Sequence, residues 1–136
     1  MKYPKFIAYL LVIVSASFFT SCSRDSIDYP SSTRDVITQS SWSIDYYFAG
    51  QDKTSEFSNY KFNFVGTGVV TANDGTNTFN GKWSVITDVN RKDVLRLNLS
   101  EAHLQDLNNE WTVMDASTDG NLVMKNSASE IHLRKL

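Results

Sequence analysis

The sequence predicts an all-β fold, an eight-stranded antiparallel up-and-down β-barrel with one short helix near residues 100–109. Three observations predict it. Apolar and polar residues alternate with a period of two over short runs, as in "GKWSVITDVNRKDVLRLNLS" at 81–100, where Trp83, Val85, Leu95, Leu97 and Leu99 share one parity. Clusters of Gly, Asn, Asp and Ser punctuate these runs at short intervals. Helical spacing is confined to a single stretch. A meander of two-faced strands exposes two edges unless it closes on itself, so closure is expected, with an open sandwich as the structural alternative.

The elements follow in order. "SWSIDYYF" places Trp42, Ile44, Tyr46 and Phe48 on one face, and "NYKFNFVG" does the same for Tyr60, Phe62 and Phe64. "VGTG" then turns the chain into the β-branched "GVVTA", which would make Phe64 and Val69 hairpin partners. Asn73, Asp74 and Gly75 form the next turn, and "NTFNGKWSVI" carries Phe79, Gly81, Trp83 and Val85 inward, Gly81 marking a bend or a close approach of other backbone. "DVNRKD" leads into the leucine ladder "VLRLNLS". "SEAHLQDLNN" has Leu104 and Leu107 three apart, with Ser100 as N-cap, and reads as the short helix. The strands "EWTVMDAS", "NLVMKN" and "EIHLRKL" complete the count of eight.

Three segments precede or form this domain. Residues 1–21 read as a signal peptide: Lys2 and Lys5 make a basic start, and the apolar run Phe6–Phe19 has 14 residues, short of the roughly 20 that span a bilayer. Cys22 is the only cysteine and follows that run directly, which resembles the lipobox of bacterial lipoproteins; the resemblance implies cleavage before Cys22 and acylation of its thiol. A plain secretory signal with a free thiol is the alternative. Residues 22–39, rich in Ser, Thr, Asp and Arg, read as a flexible tether, and 40–136 as the folded domain. Asp25, Ser26 and Ile27 resemble a short O-glycosylation acceptor, although an ordinary polar linker accounts for them more simply.

Charge and chemistry narrow the function. Loss of Lys2 and Lys5 with the signal leaves 11 basic side chains against 15 acidic, a net charge of −4 without a basic stripe, so nucleic acid is not an expected partner. His103 and His132 lie 29 residues apart and no second cysteine exists, so neither a metal site nor a cofactor is expected. No nucleophile elbow or phosphate-binding glycine loop is present, and Asp45, Asp52 and Glu56 read as solvated charge rather than as a paired acid and base. The chain is expected not to be an enzyme. The residues that remain for a site are aromatic: Trp42, Tyr46, Tyr60, Phe62, Trp83 and Trp111 either line a pocket for a small apolar ligand or fill the barrel. Short strands and many large rings favour filling. A connected void above roughly 300 Å³ would mark a ligand-binding calyx.

Several segments together resemble a small lipocalin-like lipoprotein family of Gram-negative bacteria: Trp42 opening the first strand; Asp52, Thr54, Phe57 and Tyr60; Gly81 and Trp83; Leu107, Asn108 and Trp111; and the closing "LRKL". The resemblance runs in order from about Ser41 to Leu136. It implies a lipocalin-like barrel anchored to the outer membrane through Cys22; the expected function is that of a lipid-anchored binding protein for a small apolar ligand, with a filled barrel docking onto an outer-membrane assembly as the alternative. It also suggests that Arg134 covers the indole of Trp42 at one end of the barrel; the plainer alternative, since Arg134 alternates with an inward Leu133, is a solvated charge outside the barrel.

Overall fold

Eight strands, each hydrogen-bonded to the next and the last to the first, make a closed antiparallel barrel. The computed structural model describes residues 32–136; the expected signal peptide at 1–21, Cys22 and the segment 25–27 lie outside the described residues. The strands are β1 (Ser41–Ala49), β2 (Lys61–Val65), β3 (Val69–Asn73), β4 (Thr78–Thr87), β5 (Asp93–Leu99), β6 (Glu110–Ala116), β7 (Asn121–Lys125) and β8 (Ser129–Lys135). Two short α-helices, α1 (Thr33–Ile37) and α2 (Thr54–Phe57), and a 3₁₀ helix, Ala102–Leu107, complete the chain.

The alternation seen at 81–100 sorts side chains across this sheet. Trp83 pairs with Leu97 and Val85 with Leu95 on the inner face of the β4–β5 hairpin, while Lys82 and Asn98 pair outside. Gly81 faces Leu99, and a Cβ there would lie 2.5 Å from the Asn98 carbonyl oxygen and 2.9 Å from the Leu99 Cα, so the glycine marks a close approach of backbone.

Two register details differ from the sequence reading. In β1, Ile44 pairs with Leu133 and Tyr46 with His132, leaving Asp45 as an extra residue. This bulge flips the parity beyond it. Trp42 and Ile44 therefore point inward, but the next buried side chain is Tyr47, whereas Tyr46 is half-exposed and Phe48 exposed. In the β2–β3 hairpin, a three-residue loop ending at Gly68 (φ +91°) sets Val65 against Val69 and Phe64 against Val70, one residue on from the expected pairing.

Both ends of the barrel are stoppered. At the end where β1 begins, α1 inserts Val36 and the fully buried Ile37, so the folded unit starts within the expected tether, not at Ser40. The helix forms because Ser32 caps it: its Oγ accepts the Asp35 backbone N–H at 3.2 Å and donates to the Asp35 carboxylate at 2.8 Å. At the other end, α2 inserts Phe57, and the 3₁₀ helix inserts Leu104 and Leu107. Ser100 does not cap that helix; its hydroxyl donates to the Asn80 carbonyl at 2.9 Å, tying the chain to β4 instead.

If α1 is part of the core, Ile37→Ala should cost about 2–5 kcal/mol by lost burial and the cavity left behind. The exposed Gln39→Ala should stay within about 0.5 kcal/mol of wild type. Denaturant unfolding of the two variants checks this, and equal midpoints would mean that α1 does not pack.

Candidate functional site

The barrel interior is where a ligand would sit, and side chains occupy it. Trp42, Phe62, Trp83 and Trp111, four of the six aromatic candidates, are buried there. Tyr60 lies half-buried at the rim, where its ring stands 6.4 Å from Phe79 and 5.8 Å from the exposed His103. Burial raises the Tyr60 phenol above its ordinary pKa. Tyr46 is outside the barrel, its ring 5.0 Å from that of His132. The inward position in this part of β1 belongs to Tyr47, which the bulge at Asp45 hides from a period-two reading.

Among the described residues, an apolar pocket inside the barrel, lined by residues such as Phe62, Leu97, Met124 and Ile131, has a volume of about 10 Å³. That is about the size of one water molecule's probe sphere and far below the several hundred Å³ of ligand pockets. Among the described residues, side chains leave no ligand-sized space at this place in the interior.

Each tryptophan spends its only polar group on the backbone. The indole N–H of Trp42 donates to the Ile37 carbonyl at the end of α1 (2.8 Å), that of Trp111 to the Leu107 carbonyl at the end of the 3₁₀ helix (3.0 Å), and that of Trp83 to the Val65 carbonyl at the tip of β2 (2.9 Å). No indole N–H is left to orient a ligand.

The family-like segments build the stopper at the α2 end. The Asp52 carboxylate accepts the Thr54 backbone N–H (2.9 Å), and the hydrogen bonds from Thr54 hold it below the ordinary carboxylate range. The Thr54 hydroxyl in turn accepts the Tyr47 backbone N–H (2.9 Å), and Phe57 packs edge-on against the Tyr47 ring. The Tyr47 hydroxyl donates to the Asp106 carbonyl (3.0 Å), and burial pushes its pKa up. Lys53 reaches the Asp106 carboxylate at 2.6 Å, a hydrogen bond that raises the ammonium's pKa. These contacts latch α2 to the 3₁₀ helix. Asn108 closes the same end: its side-chain amide accepts the Leu99 N–H (2.6 Å) and donates to the Leu99 carbonyl (2.8 Å), acting as a strand partner where β5 runs out.

Of the two readings of Arg134, the solvated charge outside the barrel holds and the cover of Trp42 does not form. Arg134 is exposed, pairs across strands with Ser43 and lies 3.4 Å from the Asp45 carboxylate, because residue 134 falls on the outward parity of β8. The guanidinium-on-indole contact is made by another pair. Arg34, on α1, sits 4.9 Å from the centre of the Trp83 ring and donates to the Gly66 carbonyl at 2.8 Å. Reading 22–39 as a tether hid this residue; the signal that could have exposed it is Ser32 and Asp35 in capping spacing before the apolar pair Val36 and Ile37.

Outside the barrel, an open groove of about 440 Å³ runs between the start of α1, the β4–β5 turn and β6, with Thr33, Arg91, Lys92 and Met114 among its walls.

No protein-family model matches the chain, and no curated protein does. Among solved structures, the crystal structure of a lipocalin-like protein from Bacteroides uniformis superposes with a TM-score of 0.51 at 17% sequence identity, covering 73% of this chain and 98% of the other. The fold is lipocalin-like. A lipocalin-like barrel with both ends stoppered and a filled interior is thus the frame in which any function operates.

The Arg34 contact carries a direct expectation. A double-mutant cycle with Arg34→Ala and Trp83→Phe should show a coupling of about 0.5–1 kcal/mol, the lower part of the cation–π range because Arg34 is exposed. The corresponding cycle for Trp42 and Arg134 should be additive. Unfolding free energies of the variants decide between the two pairs.

Proposed function

We propose that the chain is a lipid-anchored protein of the bacterial outer membrane whose solid lipocalin-like barrel acts by surface contact, docking onto an envelope assembly, and not by catalysis. The observation that carries the surface reading is the interior: an apolar space of about 10 Å³ encloses no ligand, and the three indole N–H groups are all bonded to backbone. The anchoring reading is supported by the sequence, in which the sole cysteine, Cys22, directly follows a 14-residue apolar run with a basic start. Among the described residues no helix is long and apolar enough to cross a membrane, so in this reading attachment comes from acyl chains on Cys22.

A second reading, a carrier of a small apolar ligand, is favoured by the lipocalin-like fold. It requires α2 and the 3₁₀ helix to part at the Lys53–Asp106 latch and the core side chains to withdraw. Native mass spectrometry of the purified protein separates the two: a co-purified lipid at one per chain supports the carrier, and a bare barrel supports surface action.

Anchoring is tested by Cys22→Ser. A serine hydroxyl at that position is not acylated, so the variant should fold with wild-type stability yet leave the membrane fraction. Retention of the variant in membranes at wild-type levels would contradict the lipid anchor.

A further inference from the structure

The exposed large apolar side chains are not spread evenly over the barrel. Val65, Val69, Ile86, Val89, Met114 and Leu136 all lie at the end carrying α1, and among the described residues Phe48 alone lies towards the other end. Val65 and Val69 are cross-strand partners flanking the β2–β3 turn, Ile86 and Val89 are at the tip of β4–β5, and Met114 is the extra residue of a bulge in β6. Leu136 donates its backbone N–H to the Ser41 carbonyl where β1 begins. Single exposed apolar residues need no explanation, but six on one rim do.

The β4–β5 tip adds a second asymmetry. Val89 is 97% exposed. Arg91 holds φ at +61°, a left-handed conformation that favours glycine, and so keeps its cationic side chain at some conformational cost. The anionic groups of the loop are occupied within it. The Asp88 carboxylate accepts the backbone N–H groups of Asn90 and Lys92, both at 2.8 Å, and Asp93 accepts the Thr87 hydroxyl at 3.1 Å. An exposed apolar tip followed by two exposed cations suits contact with a bilayer, apolar groups at the acyl boundary and cations against phosphate.

The chain enters the fold at this same rim. Nine residues lie between Cys22 and Ser32, a reach of at most about 35 Å when fully extended. We infer that this end of the barrel rests on the bilayer that carries acylated Cys22, with Val89 entering the lipid and Arg91 and Lys92 against lipid phosphates. The inference rests on the anchoring reading above. It turns the α2 end, and with it the latch and the Tyr60 rim, away from the membrane.

The test uses the acylated full chain reconstituted into vesicles of phosphatidylethanolamine and phosphatidylglycerol. With Cys22 acylated, a thiol introduced by Val89→Cys, or by Thr76→Cys in the β3–β4 turn at the opposite end, is the only one open to a nitrobenzoxadiazole label. The label at 89 should brighten severalfold relative to that at 76 and be quenched by lipids spin-labelled near the carbonyl. Adding Arg91→Gly should relax the loop, leaving the fold at least as stable, yet reduce the brightening; an undiminished signal would remove Arg91 from the contact. Vesicle-bound protein whose label at 89 is as solvent-like as that at 76 overturns the docking and leaves the anchor standing. Brightening that spin-labelled lipid does not quench identifies a second copy or another protein on the rim and also overturns it. If Cys22 itself takes the label and the protein stays off the vesicles, the anchor fails and the docking with it.

Discussion

Three indole N–H groups fix three segments of the chain against the barrel interior. Trp42, Trp83 and Trp111 each bury a large ring in the interior and each point the ring's single donor at a backbone carbonyl belonging to α1, to the β2 tip or to the 3₁₀ helix. A buried N–H without a partner costs more than a hydrogen bond returns, so each indole constrains the position of the segment it bonds. The rings supply apolar burial and the N–H groups supply register, and together they tie the ends of the barrel to its wall.

The consequence is a division of the molecule into a fixed interior and a differentiated surface. The rings and the stoppers occupy the end-to-end interior around the residual apolar space, so the differences between one end of the molecule and the other lie on its outside. What varies over the outside then matters more. One end bears the latch of Lys53, Tyr47 and Asp106 around α2; the other bears α1, the exposed apolar rim and the β4–β5 tip. Closure of all eight strands leaves no edge strand among the described residues, which removes strand addition as a mode of contact there.

Much of this was legible in the sequence, because the evidence for a two-faced strand is local. The Leu95, Leu97 and Leu99 ladder and the Gly81 close approach follow from period-two spacing and one missing side chain. The bulge at Asp45 was not legible: an inserted residue looks like any other aspartate, and only cross-strand pairing shows that it moves Tyr46 outward and Tyr47 inward. Nor was α1 legible from periodicity, since a five-residue helix of mixed polar composition has too few positions to show a period, and only the capping spacing of Ser32 and Asp35 marks it. The tryptophans were legible as inward residues but not as bolts, because their partners are carbonyls, which every residue carries. The exchange of Arg134 for Arg34 has the same origin, a contact set by where the chain returns in space.

The central claim is that the barrel is filled, and solution NMR on methyl-labelled protein addresses it most directly. Decanoate, a small amphipathic acyl chain, would be titrated while the methyl signals of Leu97, Met124 and Ile131 around the residual space are followed. The filled barrel predicts that these signals stay in place through millimolar ligand. A saturable shift of all three, with one site per chain, would contradict the account and restore a ligand-binding calyx.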